Sequence, residues 1–107
     1  MGTQPDFTTR DVSVSVGASS VELSPLMNNY ARDILVITNT STGGQVISIG
    51  VGQDAVAGLG IVMQPGQSYI ESLDSAFTPT NDRITAIASA AGGASTIHER
   101  AHLIGRA

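Results

Sequence analysis

His98, Glu99 and His102 spell H-E-x-x-H within "STIHERAHLIGRA". In zinc peptidases that spacing serves metal-assisted hydrolysis: two imidazoles grip the cation and the glutamate takes a proton from the bound water. It works on an α-helix, where positions i and i+4 share a face one turn apart. Here the preceding residues are "ASTI", partly β-branched and following Gly92-Gly93, which favours a strand. A catalytic zinc also needs a third protein ligand. The chain has no cysteine and no other histidine, so only a carboxylate is left for that role. The expectation is a last strand ending near Glu99, with a tail whose histidines face solvent or a neighbouring subunit. A zinc hydrolase is kept as the last-ranked alternative, and no catalytic residue, cofactor or metal ligand is assigned.

Other spacings hint at chemistry and lack its context. "GVGQDA" (Gly50, Gly52, Ala55) is G-x-G-x-x-A after a strand-like segment, but "VAGLGIV" follows where a dinucleotide site needs a helix. Asn39-Thr40-Ser41 is a glycosylation sequon that equally initiates a turn. Asp74, Asn81 and Asp82 are oxygen ligands without the order of a calcium loop. No serine sits in a G-x-S-x-G elbow.

The elements that must position these residues read as strands. "DVSVSVG" alternates Val12, Val14 and Val16 against Ser13 and Ser15, a half-buried strand. "SVEL" is a short second one. "RDILVITN" is apolar on both faces, as a central strand covered on both sides would be. Three hairpins are expected, turning near Gly43-Gly44, Pro65-Gly66 and Gly92-Gly93, where glycine accepts positive φ and Pro65-Gly66 suits a type II turn. "QVISIGVG" is the expected hairpin partner of "RDILVITN". The expected core is Ile34, Val36, Ile37, Ile47, Ile49, Ile84 and Ile87. About eight short strands with turn signals between them predict an all-β fold, a small antiparallel β-sandwich (jelly-roll-like) or a barrel.

The 107 residues suit one domain: a mobile polar arm over 1–9, the β-domain over 10–100 and a tail over 101–107. The cations are five scattered arginines (Arg10, Arg32, Arg83, Arg100, Arg106) against nine carboxylates, net charge −4, the wrong pattern for nucleic acid. The longest apolar stretch, "AVAGLGIVM", falls far short of the about 20 residues that cross a bilayer. No membrane partner is expected. "MGTQPDFTT" lacks the basic and apolar regions of a signal peptide. Asp6 stands where N-myristoylation wants Ser or Thr.

Three strings go further than any single motif: "ARDILVITNTSTGGQVISIGVG", "AVAGLGIVMQPGQSYIES" and "ITAIASAAGGASTIHER". Their grammar is R-x-x-L/I-x-I-x-N-x-S, then G-I-x-L-x-P-G-x-S, then I-x-A-I and a final strand. Arg32, Leu35, Ile37, Asn39 and Ser41 carry the first block. Gly60, Ile61, Met63, Pro65, Gly66 and Ser68 carry the second, with Met63 where Leu is more usual. Ile84, Ala86 and Ile87 carry the third. Over about residues 10–100 the chain resembles small virion proteins of tailed bacteriophages, the head-decoration (cement) or head-fibre type.

The resemblance implies a structural virion protein on the capsid exterior, with the major capsid protein as partner, assembled as a homo-oligomer, a trimer by preference. It implies no catalytic residue and no enzyme. Asp6, Phe7, Thr8 and Thr9 are the expected partner contacts, Phe7 being the arm's one bulky anchor. The alternative is a carbohydrate- or receptor-binding module of a fibre or tail, for which Phe7, Tyr30, Tyr69 and Phe77, with no Trp, are few stacking platforms.

Overall fold

The computed structural model describes residues 6–72 and 79–104. Among these, eight strands appear: β1 (Phe7–Val16), β2 (Val21–Ser24), β3 (Tyr30–Asn39), β4 (Ile47–Val51), β5 (Ile61–Met63), β6 (Ser68–Ser72), β7 (Ile84–Ala88) and β8 (Gly93–Leu103). They form two four-stranded antiparallel sheets, ordered β1-β8-β3-β6 and β2-β7-β4-β5. Pairing matches β1 with β8, β2 with β7, β3 with β6 and β4 with β5, as if one long hairpin had been rolled into two layers. The fold is a small jelly-roll-like sandwich, as the alternation and turn spacing predict.

Period-two patterning decides what each strand buries. Leu35 and Ile37 of β3, Ile97 and Ala101 of β8, Ile47 and Ile49 of β4, and Ile84 and Ala86 of β7 meet between the sheets and are closed to solvent. The expected core is right for Ile37, Ile47, Ile49 and Ile84. Ile34, Val36 and Ile87 lie on the outer faces and are half-buried. Between Arg32 and Ile34 the β3–β8 register shifts, leaving Asp33 in a bulge. The extra residue reverses the alternation, so Arg32 joins Leu35 and Ile37 on the inner side.

All three expected hairpins are corrections. Gly43-Gly44, Pro65-Gly66 and Gly92-Gly93 do turn the chain, with φ of 86°, 85° and 87° at Gly44, Gly66 and Gly92. Gln67 N–H donates to Gln64 O at 3.0 Å, closing the Pro65-Gly66 turn. But β3 and β4, β5 and β6, and β7 and β8 lie in opposite sheets, so each turn is a corner; among the described strands only β4 and β5 are a hairpin of adjacent strands. A turn residue sets local φ and says nothing about whether the next strand pairs or crosses. "QVISIGVG" accordingly pairs with β5 and β7 instead of β3.

The loop between β4 and β5 explains Gly50, Gly52 and Ala55. It folds back over the outer face of the β2-β7-β4-β5 sheet. Gly58 N–H donates to Ser48 Oγ, and Thr85 Oγ donates to Gln53 O. Ala55, within the loop, is itself buried, and its N–H donates to Ser20 Oγ. A Cβ on Gly50 would sit 2.7 Å from Thr85 Oγ1 and 2.9 Å from Gln53 O, so that glycine is a close-approach site. Gly52 turns the chain at φ 75°. No helix follows, and the dinucleotide reading has no structural basis.

The first and last strands extend beyond the expected domain bounds of 10 and 100. β1 starts at Phe7 and β8 runs to Leu103, so residues 7–9 and 101–103 belong to the ladder, Phe7 opposite His102 and Thr9 opposite Arg100.

Candidate functional site

The H-E-x-x-H residues are split by the pleat of β8. Along a strand, positions 98 and 102 point one way and position 99 the other. Glu99 is in the core at 2% exposure, while His98 and His102 are on the outer face of the β1-β8-β3-β6 sheet. The glutamate therefore cannot serve a metal held by the histidines. Among the described residues no cluster of three or more His, Cys, Asp or Glu is placed to hold a cation.

Glu99 instead anchors a buried polar network. Arg32 Nε donates to its Oε1 at 2.7 Å, Arg10 Nη1 to its Oε2 at 3.2 Å, and Ser24 Oγ lies 2.9 and 2.8 Å from the two oxygens. Arg32 spends its other donors on Ser24 Oγ and on the carbonyls of Pro25, Thr80 and Asp82. Arg10 also reaches Leu23 O at 2.8 Å. No buried side-chain polar atom of the described residues lacks a partner. Satisfied in this way, a buried charge fixes geometry. Sequence reasoning missed the pairing, although an arginine inside an apolar strand must find a counter-charge.

Asn39 forms the hub of the opposite end. Its Nδ2 donates to Gln45 O and Met63 O, its Oδ1 accepts from Ser41 N–H, and its own carbonyl accepts from Gly66 N–H. Ser41 Oγ accepts from Ala94 N–H at 3.0 Å. Asn39 is fully buried, so the sequon is a structural turn. Of the oxygen ligands, Asp74 lies outside the described residues, as do Phe77 and Arg106. Asn81 Oδ1 is taken by Arg32 N–H.

The two outer faces differ. The β4–β5 loop lies over the Ser48, Gly50 and Thr85 part of one, with Val56 and Leu59 of the loop and Val62 of β5 exposed there. The other, on β1-β8-β3-β6, carries no covering segment among the described residues. Its β1–β8 half is polar: His98 Nδ1 lies 2.6 Å from Asp11 Oδ1, His102 Nδ1 lies 2.6 Å from Asp33 Oδ1, and the Arg100 guanidinium stands 5.0 Å from the Phe7 ring centroid. Its β3–β6 half is apolar, with Ile34, Val36 and Ile70, the last 57% exposed. A depression of about 360 Å³ lies where the halves meet, lined by Asp11, Ser13, Val36, Thr38, Thr96 and His98. At one end of the sandwich Phe7, Leu26 and Ile104 are also exposed. Of the expected contacts, Phe7, Thr8 and Thr9 are in β1. Asp6 precedes it, its carbonyl accepting from Leu103 N–H. "RDILVITN" is thus central in its sheet, buried on the inner face and uncovered on the outer one.

No family model matches the chain, and no curated protein is significantly similar to it. Among solved structures it is similar to the cupin domain of Schizosaccharomyces pombe Cnp3, at 15% identity and TM-score 0.49 over 95% of this chain; it spans 60% of that one. It is also similar to a chain of the Bacillus endospore appendages, described as disulfide-linked pili, at 20% identity and TM-score 0.48, covering 96% of this chain and 93% of that one.

Proposed function

We propose that this chain is a structural virion protein of a tailed bacteriophage, a decoration or cement protein that binds the outer surface of the capsid and ties neighbouring capsomers together. The observation that carries the reading is the inequality of the two outer faces. A sandwich that lays its own loop over one sheet and leaves Ile70 exposed, with Ile34 and Val36 half-buried, beside a polar strip on the other presents a surface of the mixed character that protein interfaces use. The resemblance in the three strings supplies the partner: the major capsid protein, with a homo-oligomer, preferably a trimer, as the docking unit. Several copies held together gain from effective concentration, because after one docks the others bind almost intramolecularly. Phe7, with Asp6, Thr8 and Thr9, contributes from the exposed end.

The test mixes purified protein with undecorated expanded capsids and with unexpanded precursor shells. Saturable binding to the expanded form, lost in an Ile70→Asp variant that keeps its thermal stability, supports the proposal. No binding to any shell, or labelling that places the protein on the tail, overturns it.

A further inference from the structure

Among the described residues the two sheets have four open edges, and these are not alike. β2 is four residues with a register shift, β5 is three residues and β6 is five. Short or bulged edges are how sandwiches avoid pairing with other chains. β1 is ten residues, pairs with β8 without a single shift, and contains no proline. Leu103 N–H donates to Asp6 O, which makes Phe7 and His102 a non-hydrogen-bonded pair. By the alternation of an antiparallel ladder, the even residues of β1 then bond to β8. The odd ones, Thr9, Asp11, Ser13 and Ser15 among them, point their N–H and C=O groups outward along the open edge.

We propose that this edge is a homodimerisation strand, taking β1 of a second copy antiparallel about a two-fold axis at Ser13. The sequence is self-complementary in that register. Ser13 faces Ser13 of its twin, Val12 faces Val14 and Val14 faces Val12 on the inner side, and Asp11 faces Ser15 on the outer. Val12 and Val14 are only partly covered in the single subunit and gain cover from their counterparts. No like charges are opposed: Asp11 is already paired with His98, and Arg10, the inward charge, is engaged by Glu99 and Leu23 O. The hydrogen-bonded pairs are those of the outward-pointing odd residues, as the geometry requires. The contact is independent of the capsid reading. A dimer joined this way forms in solution without a shell, and a trimer joined this way becomes a hexamer.

Sedimentation of the full chain tests it. Ser13→Pro removes an N–H that β8 does not use, and proline is tolerated on an edge whose N–H faces outward. The expected result is a particle of half the wild-type mass. Should that variant fail to fold, Ser13→Lys and Ser13→Glu each give the half-mass particle alone and restore the full mass when mixed, because opposite charges then meet at the axis. Amide exchange supplies the local readout: Asp11, Ser13 and Ser15 exchange more slowly as protein concentration rises. Equal masses for the wild type and these variants, or exchange at those amides independent of concentration, overturns the proposal.

Discussion

Arg32 Nε and Glu99 Oε1 meet at 2.7 Å with side chains 0% and 2% exposed, joining β3 to β8 inside the sandwich. Breaking such a pair from one side strands a charge in the core, at a cost of about 3–5 kcal/mol. Glu99→Gln should therefore lower the urea midpoint strongly, and Arg32→Met likewise. The double variant should lose less than the sum of the two, since the remaining partner of Glu99, Arg10, has a side chain 38% exposed and no fully buried charge is left unpaired. Additive losses would mean that the pair does not act as a unit.

Ile37 contrasts with Ser15. Ile37 is fully buried against both sheets, and Ser15 is exposed on the edge strand. Ile37→Ala should cost about 2–5 kcal/mol, and Ser15→Ala at most about 0.5. Denaturant unfolding at matched protein concentration checks both.

Gly60 and Gly44 separate two reasons for glycine. Both have positive φ, 78° and 86°. A Cβ on Gly60 would also lie 2.5 Å from Ile49 O, whereas Gly44 has open space. Gly44→Ala should cost about 1–2 kcal/mol from backbone strain alone. Gly60→Ala should cost about 1–3 kcal/mol more as the loop is forced off the sheet. Thermal melts of the two variants give the difference.

Tyr69 sets an alkaline limit. Burial, then its hydrogen bond to Glu71 and the charge of that carboxylate, push its phenol up to about 12 from 10.0. Because the folded-state value is raised, the contribution is whole below the unfolded value. It is lost as pH rises from about 10 through about 12, where the unfolded tyrosine ionises and the folded one resists. Wild-type stability should fall across that window more steeply than that of Tyr69→Phe. A spectroscopic titration should show one of the two tyrosines ionising late.

Zinc should be absent in stoichiometric amount from protein purified without a metal-affinity tag, since Glu99 and the two histidines occupy opposite faces of β8. Elemental analysis checks this. Peptidase activity that vanishes in a folded Glu99→Gln variant would contradict the geometry.

How much of this was legible in sequence follows a physical line. Alternation at Val12, Val14 and Val16 and the chemistry of Pro65-Gly66 are local, and they predicted strands and turns correctly. Sheet membership is not local. The corner at Gly92-Gly93 looks like a hairpin because the same positive φ serves both, while a Cβ on Gly93 would meet Val16 O at 2.7 Å, a contact with a strand far back in the chain. The bulge at Asp33 was hidden for a related reason: four consecutive apolar residues after it mask a change of parity. The candidate site was half visible. The two apolar faces of "RDILVITN" were plain, but nothing short of the topology says that Ser48, Gly50 and Thr85 would receive a roof and Val36 would not.

The position of β8 has a consequence for biosynthesis. It lies between β1 and β3 and, among the described residues of one chain, is the only strand that pairs with β1. A growing chain that has already released β1, β3 and β6 from the ribosome can zip only β3 to β6; β1 must wait, unpaired, until Gly93–Leu103 emerges. Folding of this sheet is thus held back to the end of translation of the domain, and loss of the eighth strand would undo the first as surely as deleting it.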